Sequence, residues 1–256
     1  MRYFLFISYD GTSYHGWQRQ PNAVSVQEKL EDALKLIFGR DVSATAAGRT
    51  DTGVHARRQC AHIDTLEELD TQWLRFKLNC LLPPDVAVRA VVPVCPDAHA
   101  RFSAISRTYH YYLSLQKEPF TRPYTCRLYQ DLDFELMNQG AALLLRTRDF
   151  GSFCKTGSDN KTNICHLTEA RWTRMDNGTW RFRITADRFL RNMVRAVVGT
   201  LVSVGRHRLT LDGLEEVIRA SDRRASGESM PACGLFLEEV VYPDSVYIDG
   251  RQPEKL

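Results

Sequence analysis

No stretch of the 256-residue chain approaches the roughly 20 apolar residues that a membrane-spanning helix needs. The opening run in "MRYFLFISYDG" is too short for a signal h-region and no small-residue cleavage site follows it, so no secretory leader is expected. The seven cysteines are odd in number and contain no Cys-x-x-Cys pair, which argues against both a disulfide framework and a zinc ribbon. Reduced thiols in a cytoplasmic protein are the expectation. His55 and His62 flank Cys60 without a zinc spacing. No Gly-x-Gly-x-x-Gly, P-loop, His-Glu-x-x-His or Gly-x-Ser-x-Gly occurs, so nothing calls for a nucleotide cofactor, a metal or a serine nucleophile. Excess charge is also scarce: 34 Lys and Arg against 31 Asp and Glu leave a formal net charge of +3. Any case for a polyanionic partner must therefore come from local clusters.

What is present is an ordinary globular balance, 43% hydrophobic and 25% charged, at a length that suits one large domain or two packed halves. "YFLFISY" (3–9) favours a strand. A Gly-, Asn- and Pro-rich loop follows, then a helix from a Ser25/Glu28 capping box to about Phe38, with Gly39 just past it. "VSATAAGRTDTGVHARRQCAHIDT" reads as strand, turn, strand, and "TQWLRFKLNCLLPPDVAVRAVVPV" as helix, Pro-Pro stop, strand. "ISRTYHYYLSL" alternates, with Tyr109 and Tyr111 on one face and His110 and Tyr112 on the other. Asp133 can cap a further helix, and "KTGSDNKTN" (155–163) is a polar loop. Asn177-Gly178 turns a hairpin. "DRFLRNMVRAVVGTLVSVG" (187–205) and Leu211 to Ala220 read as helices, and "GLFLEEVVY" as a last strand before a polar tail. Strands and helices mix without regular βαβ alternation, which predicts an α+β fold with an antiparallel sheet.

Two constellations carry chemistry. In "AAGRTDTGVHA", Arg49 and Asp51 are two apart, so on extended chain they leave the same face. Small residues around them allow close approach of a backbone or ligand. An aspartate kept ionised in a partly dry site needs a cationic partner, and arginine supplies one that cannot lose its proton. The plain alternative is an Asp-Thr-Gly turn. In 187–205, Arg188, Arg191 and Arg195 fall at i, i+3 and i+7 on one helical face. That helix is apolar nearly all round, so these arginines require an anion, which Asp51 or a phosphate could supply. The plain alternative is a solvated basic face. Tyr109 and Tyr111 read equally as core residues or as a ring that stacks on a base.

Taken in order, "YDGTSYHGWQRQ", "GRTDTGVHA", "RFSAISRTYHY", "FLRNMVRAVVGTL" and "ACGLFL" resemble the motifs of the tRNA pseudouridine synthase A family, across roughly residues 3 to 242. Thr52 stands where many members carry Ala, and 155–163 matches poorly. The resemblance implies a pseudouridine-synthase fold: two similar α/β halves around a mixed, mostly antiparallel sheet with a central catalytic cleft. The halves are expected at 1–105, carrying the catalytic aspartate, and 106–256, carrying the tyrosine strand and arginine helix. It implies an isomerase that converts uridine to pseudouridine at positions 38–40 of the tRNA anticodon stem-loop, as a cytoplasmic homodimer without cofactor or metal. Carried over by motif, Asp51 is the nucleophile, Tyr109 stacks on the flipped base, Arg195 pairs with Asp51, and Arg49 helps hold the nucleotide.

The residues fit that chemistry. Isomerisation breaks an N–C glycosidic bond and forms a C–C bond, with no redox change and no group donor. A carboxylate can attack the sugar C1′ or the base C6, and both stay open. The group that removes the C5 proton is also open; Tyr109 is a candidate, with a reference pKa of about 10 against it. The segments "ARRQ", "LRTR" and "SDRRAS" are candidate phosphate contacts. Three rivals stand beside this reading: a hydrolytic glycosidase or nucleosidase, which needs a second carboxylate, a non-catalytic tRNA-binding module, and a scaffold whose arginines are all surface.

Overall fold

The computed structural model describes residues 1–158 and 160–248. Asp159, in the expected 155–163 loop, and the end of the polar tail lie outside the described residues. The chain divides into two compact units, Met1–Ile105 with the segment from Leu237, and Ser106–Phe236.

In the first unit the order is β1 (Arg2–Tyr9), α1 (Val26–Phe38), β2 (Thr45–Ala46), β3 (His55–Asp64), α2 (Thr71–Leu81) and β4 (Val86–Val94). β1 lies between β3 and β4 and pairs antiparallel with both. A central strand is covered on both faces, which is why Tyr3 to Ile7 read as an unbroken apolar run and are all buried. α1 is bounded by its sequence: Ser25 accepts from the Glu28 amide, Glu28 reaches back to the Ser25 amide, and Gly39 closes the helix at φ 65°. Ser25 alone is worth about 1 kcal/mol as a cap. β9 (Leu235–Val241) pairs with β3. Past it, the Tyr242 ring lies 4.8 Å from that of Phe4 and its hydroxyl donates to the Ala100 carbonyl at 2.6 Å. These contacts gather the segment from Leu237 with the first unit, whereas the sequence reading grouped it with 106–256.

In the second unit β5 (Ser106–Ser114), β6 (Cys126–Arg127), α3 (Phe134–Arg146), β7 (Leu167–Arg174), β8 (Trp180–Ala186), α4 (Met193–Gly205) and α5 (Leu211–Ala220) follow. β8 sits between β5 and β7, antiparallel to each, and β6 pairs parallel with β5. The sheet pairing is thus mixed and mostly antiparallel, and the fold is α+β. α3 begins at its Asp133 cap and packs on β7, and its Phe134 stacks on Trp180 at the start of β8 at 3.6 Å.

One expected helix is corrected. Residues 187–192 are not helical, and α4 starts only at Met193. Asn192 takes a left-handed φ of 65°, which a helix interior does not tolerate. The Asp187 carboxylate accepts from the His166 and Arg188 amides, which fixes the chain in a bend ahead of the helix. Arg188 and Arg191 therefore precede α4 and share no helical face with Arg195.

Candidate active site

Asp51 sits on the loop between β2 and β3, half-buried. Its neighbours alternate: Arg49 is exposed and Thr50 buried, the pattern of extended chain. The loop then turns. Gly53 takes φ 76°, and the Val54 amide donates to the Asp51 carbonyl at 3.1 Å.

This short loop is held by the segment after β1, the Gly-, Asn- and Pro-rich loop that carries the "YDGTSYHGWQRQ" motif. The Trp17 amide donates to the Thr50 carbonyl at 3.2 Å, and the Gly53 amide to the Tyr14 carbonyl at 3.2 Å. Gly16 has φ 85°, and a Cβ there would stand 2.3 Å from the Thr50 carbonyl oxygen. At Gly11 a Cβ would stand 2.0 Å from the Val54 carbonyl oxygen. Both glycines are therefore required by close backbone approach. The Gly11 amide also donates to Nδ1 of the buried His55 at 3.0 Å, and Asp10 Oδ1 lies 3.0 Å from the same nitrogen. These two glycines are the residues that sequence reasoning missed. Their signal was present as paired glycines in "YDGTSYHGW", but their targets, Val54 and Thr50, are far along the chain and no local pattern names them.

The arginines after the turn go elsewhere. Arg57 Nε lies 3.3 Å from Glu238 Oε2, and the Arg58 guanidinium sits 5.0 Å over the Phe6 ring.

In the second unit β5 separates its two tyrosines more sharply than alternation could. Tyr111 is fully buried and its hydroxyl donates to the Pro231 carbonyl at 2.9 Å. Tyr109 keeps 9% exposure, with the Phe189 ring edge-on at 5.1 Å. Arg195, in the first turn of α4, is half-buried. Its Nε donates to the Met230 carbonyl at 2.6 Å, and the Met230 amide donates back to the Arg195 carbonyl at 3.1 Å. The segment carrying Met230 is laid tightly on α4, because a Cβ on Gly199 would stand 1.8 Å from the Glu228 carbonyl oxygen. Arg223 in "SDRRAS" is committed to this strap, donating to Ser226, Gly227 and Ser229 at 2.8–3.0 Å. Arg224 pairs with Asp222 at 2.7 Å. So the structure brings Arg49 and Asp51 onto one braced loop of the first unit, and Tyr109 and Arg195 each onto a structured position of the second.

A family model described as tRNA pseudouridine synthase matches residues 5–103 and 141–243. The chain belongs to the tRNA pseudouridine synthase family. It is similar to the tRNA pseudouridine synthase A of Bacteroides thetaiotaomicron, 53% identical over 257 aligned positions that cover 100% of this chain and 96% of the relative. Similarity to the protein of the same name from Porphyromonas gingivalis is 51% over 96% of this chain and 99% of the relative. The Acetivibrio thermocellus protein of that name is 39% identical over 93% of this chain and 98% of the relative. Both stretches of the family match include candidate residues, Arg49 and Asp51 in the first and Arg195 in the second.

Proposed function

We propose that this protein isomerises uridine to pseudouridine in tRNA, in the anticodon stem-loop at positions 38–40, with Asp51 as the nucleophile. The observation that carries the reading is a half-exposed carboxylate on a loop pinned by two backbone-contacting glycines, in a chain matched end to end by tRNA pseudouridine synthases. A nucleophile must be reachable yet held still, and this loop supplies both conditions.

The target uridine leaves its stack at a cost of about a few kcal/mol. Tyr109 receives the base, and a stacked ring returns roughly 1–3 kcal/mol. Phe189 sets the plane of that ring. Asp51 attacks C1′ or C6; the N1–C1′ bond breaks, uracil turns, C5 bonds to C1′, and the bond to Asp51 breaks to return the free carboxylate. The C5 proton leaves and N1 gains one, so atoms and charge balance without a donor or oxidant. In this reading Arg195 is the cationic partner of the nucleophile, and its Met230 contacts fix the direction of its guanidinium. Arg49, exposed beside the nucleophile, holds the flipped nucleotide. A homodimer working in the cytoplasm on the tRNA anticodon arm completes the reading.

Incubation with an unmodified tRNA transcript in EDTA, followed by pseudouridine mapping, tests it. Pseudouridine confined to the anticodon arm is the expected product. Free uracil would replace the reading with a hydrolase, and tight tRNA binding without product would replace it with a binding module.

A further inference from the structure

Beneath the Asp51 loop lies a small buried polar network. The Tyr9 hydroxyl is 2.8 Å from Thr50 Oγ1, with a buried environment on both sides. The Gln59 amide nitrogen donates to the Gly48 carbonyl at 2.9 Å, while its side-chain oxygen accepts from the Cys60 amide at 3.1 Å. Tyr9 is 4% exposed and Gln59 0%. Burial pushes the Tyr9 phenol up to about 12, so it stays a neutral hydroxyl that can both donate and accept.

Such groups cost desolvation wherever they are buried, and a phenylalanine and an aliphatic residue would fill the same space without it. Their hydrogen bonds converge on Gly48 and Thr50, which bracket Arg49 and end at the residue before Asp51. On the far side the loop is pinned by Gly53 on Tyr14 and by the Val54 amide on the Asp51 carbonyl. The network thus adds side-chain hydrogen bonds at Gly48 and Thr50 to the backbone contacts that Gly16 and the Trp17 amide make at the Thr50 carbonyl.

We infer that Tyr9 and Gln59 are positioning residues for the reaction, acting through Thr50 and Gly48 to set where the Asp51 carboxylate and the Arg49 guanidinium stand. This rests on the reading of Asp51 as nucleophile. A displacement of about 1 Å at a reacting group can cost on the order of a hundredfold in rate.

The test uses Tyr9→Phe, Gln59→Met, Thr50→Val and Thr50→Ser, each in the full chain. At saturating tRNA, kcat should fall by about tenfold or more in Tyr9→Phe, Gln59→Met and Thr50→Val, while KM stays within about twofold. Thr50→Ser, which keeps the hydroxyl, should restore most of the rate. Hydrogen exchange of the tRNA-free protein gives a second readout, and the Gly53 and Val54 amides should exchange faster in Tyr9→Phe than in wild type. If kcat of the folded variants is unchanged, or if the loss appears only as a lower melting temperature, the network is structural and the inference fails. If wild type itself makes no pseudouridine, the functional reading fails instead, and the exchange data still decide whether Tyr9 braces the loop.

Discussion

Gly16 and Thr50 meet backbone to backbone: the space a Cβ on Gly16 would need is 2.3 Å from the Thr50 carbonyl oxygen, at φ 85°. Two segments far apart in sequence are thereby locked together at the residue preceding the candidate nucleophile. Gly16→Ala adds both the left-handed penalty and the clash, so a loss of about 2 kcal/mol or more is expected. Urea denaturation measures it. Activity should fall further than the folded fraction does, because the loop moves as well.

Gly199 plays the corresponding part in the second unit. Gly199→Ala must push residues 227–230 off α4, and Met230 moves with them. About 1–3 kcal/mol of stability should be lost to overpacking. The pseudouridine rate should drop with it, since Met230 orients Arg195. A variant with wild-type rate would separate the strap from the arginine.

The two tyrosines of β5 should behave oppositely. Tyr111→Phe removes the hydroxyl's hydrogen bond to the Pro231 carbonyl, at about 0.5–1.5 kcal/mol of stability. Its activity when folded should persist. Tyr109→Ala should abolish most activity even in the molecules that stay folded, and its lost contacts with Phe189 should lower the melting temperature as well. Reversal of this pattern would transfer the stacking role to Tyr111.

His62 predicts an acid-sensitive first unit. Burial and the nearby Arg2 and His99 lower its pKa to about 4, and its Nδ1 already accepts from the Ala100 amide at 3.2 Å. The unfolded chain therefore takes up a proton near pH 6.5 that the folded chain refuses until about pH 4. Stability from this group is full above pH 6.5 and declines as pH falls toward 4, with a slope of up to about 1.4 kcal/mol per pH unit. Asp64 adds in the same direction: its hydrogen bonds to Arg2 lower its pKa, so its contribution is present at neutral pH and lost in acid. Its carboxylate is 61% exposed, so solvent screening keeps that contribution small. Denaturation of wild type and His62→Gln at pH 7, 5.5 and 4.5 should show a shallower acid slope in the variant.

Much of this was legible in residue patterns where the determinant is local. The Ser25/Glu28 box and Gly39 bound α1, Asn177-Gly178 turns the β7–β8 hairpin, and α5 runs from Leu211 to Ala220 as its periodicity indicates. The start of α4 was not legible, because the apolar and arginine spacing of 187–192 fits a helix that Asn192 and the Asp187 contacts prevent. Period-two alternation placed Tyr109 and Tyr111 together, and only packing by Pro231 and Phe189 distinguishes them. The Asp51 loop was visible as a motif. What steadies it was not, since Tyr9, Gly11 and Gly16 act across the sheet and leave no spacing to read.

The most direct measurement is tritium release from tRNA carrying uridine labelled at C5, with wild type and Asp51→Asn side by side. Wild type should release tritium from the anticodon arm in EDTA, whereas Asp51→Asn should bind the same tRNA and release none. Release by Asp51→Asn at the wild-type rate would contradict the account, and Asp51 would then be a turn residue of its loop.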